Sequence, residues 1–404
     1  MARIVGNKFR NSLYGSEADD RIIAKAGNDY IYGRGGADVI FAGDGNDWIT
    51  VGDSTWQDFG SHVFGGAGND WLTLNLHAFT TSIIKAAGSD HIVAVSEDGA
   101  TRRTTATWDG VENLRGNFGS GDDYFHAGAL TTAIIYAGAG ADRLVAGSGQ
   151  ALFYGEDGAD VLLGGALKDV LDGDAGHDVL KGGDGDDVIF GDAGEDHIEG
   201  SAGDDYVVGG SEADRIEGGE GHDIIWADDG DDIVLGGAGW DDIIGGWGDD
   251  RLMGDEGNDH IYGDGGADLI YGGDGADLLE GGGGIDRIYG GLGSDRLSGG
   301  PGHDRFVWKL LEEGGDRILD FAQGSDRLVI ASDIVGGLTG VDGSNFASNL
   351  HGIAQDADDH FLYSQATRGF FFDPDGNGAA AKILIAHIDF AKGTELLPSD
   401  IAIV

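Results

Sequence analysis

The chain has 404 residues, including 79 Gly, 3 Pro and no Cys, and its 24 Lys and Arg stand against 73 Asp and Glu for a formal net charge of −49. That charge argues against nucleic acid and anionic membranes as partners, no run of 18 apolar residues is present to span a membrane, and the lack of Cys removes disulfide staples and thiol nucleophiles. Gly lies far above its usual share of about 7%, so ordering this backbone costs much entropy, and self-repulsion opposes compaction; both point to cations bound in quantity.

In chain order, the opening Met1-Ala2-Arg3-Ile4-Val5-Gly6-Asn7 lacks the apolar stretch of a signal peptide. A nine-residue period then begins. Asp20, Asp29, Asp38 and Asp47 recur at that spacing, each followed two residues later by Ile22, Ile31, Ile40 or Ile49. Asn11 with Leu13 reads as a degenerate first coil. Asp70 closes this N-terminal array, residues 1–73, after a spacing of 23, one coil of 18 plus an insertion of five. Residues 74–116 break the pattern. Ser82-Ile83-Ile84 and His91-Ile92-Val93-Ala94-Val95 predict strands with a turn at Glu97-Asp98-Gly99, and Trp108-Asp109-Gly110-Val111-Glu112-Asn113-Leu114 reads as the return to the array. Asp123 and Asp142 restart the register, and Ala151 then stands where an Asp is due.

The main array lies in residues 117–307. With Asp as position six, the series runs unbroken through Asp160, Asp169, Asp178, Asp187, Asp196, Asp205, Asp214, Asp223, Asp232, Asp241, Asp250, Asp259, Asp268, Asp277, Asp286, Asp295 and Asp304. Position eight is apolar in all 17 units, from Leu162 to Phe306. Position one is Gly except at Ala227, and position four is Gly except at Leu167 and Glu212, so those turns are expected to hold metal less well. Glycines let the backbone curl its carbonyls inward, and position six adds a carboxylate to the same concavity. A hard cation such as Ca²⁺ takes six to eight oxygens at about 2.3–2.6 Å. The next three residues predict a short strand whose alternation turns only position eight inward. Two nonapeptides make one coil of 18 residues.

This pattern resembles the RTX (repeats-in-toxin) family. The resemblance implies an all-β fold: a right-handed parallel β-roll, or β-solenoid, of nonapeptide repeats with a β-rich C-terminal cap. It also implies multiple Ca²⁺ held between successive turns by Asp20, Asp29, Asp38, Asp47, Asp70, Asp123, Asp142 and the Asp160–Asp304 series. Family members leave bacteria unfolded through type I secretion, so the resemblance implies a secreted protein and overrides the missing signal peptide. Asp304-Arg305-Phe306-Val307-Trp308, Gly315-Asp316-Arg317-Ile318-Leu319-Asp320-Phe321 and Phe370-Phe371-Phe372-Asp373-Pro374-Asp375-Gly376-Asn377-Gly378 are similar to the C-terminal region of serralysin-type proteases. Residues 308–404 are thereby expected to form the cap and to carry an export signal near Asp400-Ile401-Ala402-Ile403-Val404. Asp373, Asp375 and Asn377 look like a calcium loop, but Leu384 sits where the closing Glu belongs, so a turn is the preferred reading.

No catalytic constellation emerges. None of the 12 His is followed by Glu, so H-E-x-x-H is absent, and no Ser carries Gly on both sides at a spacing of two. Pairs such as Asp186-Asp187 recur with the repeat and so read as calcium and solvent positions, while His177, His222 and His303 at position five read as solvated loop residues. The expectation is a calcium-folded structural, adhesive or interaction protein, not an enzyme, whose partners are calcium ions, the type I secretion machinery and a cell surface, a polysaccharide or another copy. The alternative is a polysaccharide-acting enzyme or accessory protein with a site in 74–116 or the cap. Outward positions seven and nine add one further expectation. Val170, Val188, Phe190, Tyr206, Val208, Ile224, Trp226, Ile244 and Tyr262 form an apolar strip, expected to be covered by the N-terminal array or, failing that, by another copy or an external partner, with Trp226 and Phe190 mostly buried while Arg215 and Arg251 stay exposed.

Overall fold

The computed structural model describes residues 2–52, 60–76, 83–85, 91–95, 102–336, 338–355, 358–376, 381–392 and 395–404. Two compact units divide the chain, Met1–Tyr206 and Val207–Val404. Each is a parallel β-solenoid in which a strand pairs with the strand one coil later. In the first unit, Arg3–Val5, Arg21–Ala26 and Val39–Asp44 lie side by side in one sheet, and Ser12–Tyr14, Tyr30–Tyr32 and Trp48–Val51 in the other. The register sets Ile22 against Ile40 and Ile31 against Ile49, so position-eight side chains stack in two inner files. In the second unit these files run through Ile216, Val234, Leu252, Ile270, Ile288 and Phe306, and through Ile225, Ile243, Ile261, Leu279 and Leu297, all fully buried. Each contributes roughly 1.5–3 kcal/mol of burial. One inward side chain per strand is nevertheless a thin core for so much glycine.

The segment where the nonapeptide pattern fails is where the chain leaves the coil. His91–Val95 pairs antiparallel with Ile83–Lys85 and with Arg102–Asp109, and the latter runs parallel to Ser61–Ala67. Asn113–Asn117 then rejoins the roll between Trp71–Asn75 and Thr132–Ala139. Ser82 and the turn expected at Glu97-Asp98-Gly99 lie outside the described residues. In the second unit Gly369–Phe372 is antiparallel to both Phe361–Ser364 and Ile383–Lys392, the latter runs parallel to Asp316–Ala322, and Ile401–Ile403 runs parallel to Arg327–Ile330. Phe321, Phe361, Tyr363 and Phe370 fill this β-rich end. Asp373 to Gly376 form a turn, with the Gly376 N–H donating to the Asp373 carbonyl at 3.3 Å; Asn377 lies outside the described residues.

The expected burial of Trp226 is overturned: Tyr206, Ile224 and Trp226 stay exposed at 37%, 42% and 41%, whereas Phe190 and Tyr262 are half-buried. In the N-terminal array Tyr32 and Trp48 are exposed at 39% and 49%. The physical reason lies in the parallel register. Outward aromatics of successive coils pack on one another, as in Tyr14–Tyr32 at 5.2 Å, Tyr30–Trp48 at 5.1 Å and Phe190–Tyr206 at 6.2 Å between ring centroids. Each ring therefore hides part of its surface against its neighbour without a separate lid. Arg215 and Arg251 are exposed, as expected.

Where glycine stands at position four, coils stack so closely that a side chain has no room. A Cβ on Gly284 would lie 1.4 Å from the Gly266 carbonyl oxygen, whereas one on Gly340 would meet nothing within 4 Å. Gly284→Ala is expected to destabilise the calcium-loaded protein by upwards of about 2 kcal/mol. Gly340→Ala is expected to stay within about 0.5 kcal/mol of the parent. Thermal unfolding of both variants in millimolar calcium checks the contrast.

Candidate metal centre

Each nonapeptide turn brings its position-six carboxylate under the backbone of the preceding coil. Asp38 Oδ1 accepts the Asp20 N–H at 2.8 Å, Asp47 Oδ1 that of Asp29 at 2.8 Å, and Asp178 Oδ1 that of Asp160 at 2.7 Å. In the second unit Asp259, Asp277 and Asp295 repeat the bond to Asp241, Asp259 and Asp277 at 2.9–3.0 Å. All 24 aspartates expected from the sequence are at most 3% exposed. The insertions do not break the ladder. Asp70 Oδ1 accepts from Asp47 across the 23-residue spacing, and Asp142 Oδ1 accepts from Asp123 across 19.

The second carboxylate oxygen is left differently. Oδ2 of Asp29, Asp38, Asp47, Asp70, Asp142, Asp160, Asp178 and Asp187 is buried with no hydrogen-bond partner, and so is that of Asp232, Asp241, Asp250, Asp259, Asp268, Asp277, Asp286, Asp295 and Asp304. An unpaired buried carboxylate oxygen is costly unless a cation meets it. Position one supplies the space. A Cβ on Gly155 would fall 2.4 Å from Asp160 Oδ2 and 2.8 Å from the Gly173 carbonyl oxygen; one on Gly263 would fall 2.4 Å from both Asp268 Oδ2 and the Gly281 carbonyl oxygen. Carboxylate and carbonyl oxygens from two successive turns thus converge where glycine leaves room. That donor set, hard oxygen throughout, fits Ca²⁺.

The charge state follows the burial. Burial first, then the carboxylates of adjoining turns, pushes Asp38, Asp142, Asp178, Asp187, Asp232, Asp268, Asp277 and Asp304 up to about 7, against the opposing pull of the backbone N–H bond. Asp47, Asp70, Asp160, Asp241 and Asp250 rise to about 6, again chiefly through burial.

A few turns commit both oxygens to protein donors. Asp20 Oδ2 accepts from the Ser16 N–H and hydroxyl, both at 2.7 Å, and Asp169 Oδ2 accepts from the Gly165 N–H at 2.6 Å. Asp169 belongs to the turn with Leu167 at position four, and its Oδ1 accepts from Ala151, the residue standing in for Asp one coil earlier. Two members of the ladder carry no nonapeptide signature. Ser61 Oγ takes the Asp38 N–H at 3.0 Å, and Glu112 Oε2 takes that of Asp70 at 2.9 Å. Ser61 was findable, since it follows Asp38 by the same 23 residues that separate Asp70 from Asp47; Glu112 sits two residues before the inward Leu114. At the far end Asp316 and Asp326 continue the ladder from Asp295 and Asp304, but Asp316 Oδ2 accepts from Trp308 Nε1 at 2.8 Å and Asp326 Oδ2 from the Ala322 N–H at 2.7 Å.

Position five forms a second, outer ladder. Asn28 Oδ1 accepts the Asn46 N–H, Asp231 Oδ1 that of Asp249, and His177 and His222 use Nδ1 to accept from Glu195 and Trp240 at 2.9 and 2.8 Å. The histidines expected to be solvated loop residues therefore tie successive coils together, because any short side-chain acceptor there reaches the next turn's N–H. Outside the columns, Asp172, Asp174 and Asp192 place carboxylate oxygens within 4.8 Å of one another. Burial, with Asp174 and Asp192 nearby, pushes Asp172 up to about 7.

Comparison with known proteins agrees with this geometry. The family model for the RTX calcium-binding nonapeptide repeat matches residues 3–49, 61–76, 134–153, 154–189, 172–207, 181–216, 208–243, 244–279 and 271–306. The chain belongs to the RTX calcium-binding repeat family. Its cofactor is accordingly calcium in several copies. No curated protein matches. Among solved structures, the extracellular lipase LipA from Serratia marcescens is similar at 14% identity over 97% of this chain and 40% of that one, with a TM-score of 0.17. The chain thus spans 40% of the lipase's length.

Protons and calcium compete for the RTX columns. Folded-state values near 7 lie above the ordinary carboxyl value of 3.8, so the folded roll binds protons more tightly than the unfolded chain. Without calcium the roll therefore loses stability as pH rises from about 4 to 7. In chelator the chain is therefore expected to hold more β structure at pH 4.5 than at pH 8, and circular dichroism at the two pH values measures this; less at pH 4.5 would contradict proton binding by the columns.

Proposed function

We propose that this protein is a secreted, non-catalytic RTX scaffold that crosses the type I exporter unfolded, folds on extracellular calcium, and then serves a structural, adhesive or interaction role. The carrying observation is the set of buried Oδ2 atoms without a hydrogen-bond partner, among them those of Asp38, Asp178, Asp259 and Asp304. Extracellular modules bind Ca²⁺ at about 10⁻⁴–10⁻³ M, and where the site exists only in the folded state, binding free energy is folding free energy. Low cytosolic calcium then leaves the chain threadable, and external calcium folds it. The serralysin-like resemblance of residues 308–404 supports an export signal at the C-terminus. Support for a non-catalytic role comes from the missing motifs. A concavity of about 420 Å³ in the cap, lined by Arg317, Thr367, Arg368, His387 and Asp389, has its carboxylate already bound to both guanidiniums at 2.6 Å. It therefore lacks the free acid–base pair that the alternative, a polysaccharide-acting enzyme, requires.

The calcium ligands in this reading are the position-six aspartates with an open Oδ2 and the position-one carbonyls beside them, while the turns of Asp20 and Asp169 contribute little. At pH 8, circular dichroism is expected to show coil in chelator and β structure in millimolar calcium; unchanged β content in chelator at that pH defeats the proposal. Asp259→Asn is expected to raise the calcium midpoint severalfold, and Asp169→Asn by less than twofold, in the same titration. Deleting residues 345–404 is expected to hold the chain inside the producing cell, and its appearance in the medium would refute the export signal.

A further inference from the structure

In the second unit, one outer face carries charge of the opposite sign to the chain. Position seven of seven laterally paired strands is, in spatial order, Arg215, Ile233, Arg251, Leu269, Arg287, Arg305 and Arg327. At about 4.8 Å per strand the row is about 29 Å long. Arg215, Arg251, Arg287 and Arg305 are exposed and Arg327 half-buried. Position nine of the same strands adds a single acid, Glu217, which pairs with Arg215. The rest of that second row is Leu235, Met253, Tyr271, Tyr289, Val307 and Val329. Tyr271 and Tyr289 stack at 4.4 Å, with Lys309 Nζ 5.1 and 4.3 Å above their rings.

The repeat does not demand these arginines. The equivalent strands of the first unit carry Arg3, Arg21 and Arg143 but also Val39, Val161, Val179 and His197 at position seven, so arginine is sparser there. Arg287, Arg305 and Arg327 lie directly opposite one another on consecutive strands, and like charges so placed oppose pairing. Guanidinium forks match carboxylate and sulfate groups, and a linear polymer with one anionic group per sugar presents them at intervals of the same order as the strand spacing. The two stacked tyrosines hold Lys309 over their rings and so add a further cation beside the row.

We propose that this arginine-lined face binds a linear acidic polysaccharide along the row Arg251–Arg287–Arg305–Arg327. The proposal rests on the calcium-folded interaction reading above and names the partner. Calcium conditions it twice. The row exists only in the folded roll, and each bound ion offsets two of the 49 net negative charges that would otherwise repel a polyanion.

The test uses the full chain in millimolar calcium, on gels containing dextran sulfate, polygalacturonate or uncharged dextran, with circular dichroism of the same samples. We expect retention by at least one charged polymer and none by dextran. Retention is expected to weaken steeply with salt and at least tenfold in Arg287→Glu/Arg305→Glu. Arg143→Glu, at position seven in the first unit, is expected to change it less than twofold. The two charged gels separate sulfate from carboxylate as the recognised group. Retention by neither polymer, or undiminished retention of the double variant, overturns the proposal. So does salt-sensitive self-association in sedimentation that the double variant abolishes while no polymer is retained, since the occupant is then a second copy. A chain that stays unfolded in calcium refutes the functional reading itself, whereas a folded chain that binds no polymer refutes only this inference.

Discussion

The structure depends on how one carboxylate divides its two oxygens. At position six, Oδ1 is bound to the N–H of the preceding coil's aspartate, as in Asp178 to Asp160, and this bond orients the side chain. Oδ2 of the same residue is then held, buried and without a hydrogen bond, at the space that the position-one glycine leaves open. Stacking such groups coil upon coil is a problem of like charge, which a proton, a protein donor or a cation resolves. In the function proposed above calcium takes that role, ties coil to coil and supplements the thin apolar files of the interior.

The same division of oxygens explains where a column stops. At the end of the second unit's array, Asp316 and Asp326 keep the ladder bond, but their second oxygens turn to Trp308 Nε1 and the Ala322 N–H. Protein donors take the place of metal, and the chain passes from calcium-dependent coils to a cap with an aromatic core around Phe321, Phe361 and Phe370. Asp20 and Asp169 show the same substitution inside the first unit, through Ser16 and Gly165. A solenoid of this kind can therefore be adjusted coil by coil, because a single local donor switches a turn from metal-binding to self-satisfied.

Metal and core leave only positions seven and nine free, and there the protein acquires its individuality. The first unit uses them for stacked rings such as Tyr14–Tyr32 and Tyr136–Tyr154. The second unit's arginine row uses the same register to repeat a charge at every strand or every second strand. Parallel, in-register pairing turns a single residue choice into a line of identical groups, which suits extended ligands better than compact ones.

Much of the architecture was legible in the sequence because each coil repeats its full chemistry within nine residues. Glycine at one and four, Asp at six and an apolar side chain at eight are local choices, and their spacing alone determined the coil length, the inward files and the candidate calcium ligands from Asp20 to Asp304. Ser61 and Glu112 escaped because insertions of five residues and of a whole antiparallel layer interrupt the count, although both occupy the ladder in space. The exposed strip around Trp226 was misjudged because outward rings cover one another through cross-coil stacking, which a linear pattern of apolar residues does not reveal. The choice of which aspartates keep an oxygen for metal was decided only by the tertiary structure. It depends on whether an N–H or an indole from elsewhere, as Gly165 supplies to Asp169 and Trp308 to Asp316, points at that oxygen; Leu167 at position four marks the Asp169 turn as irregular in the sequence but does not name the donor.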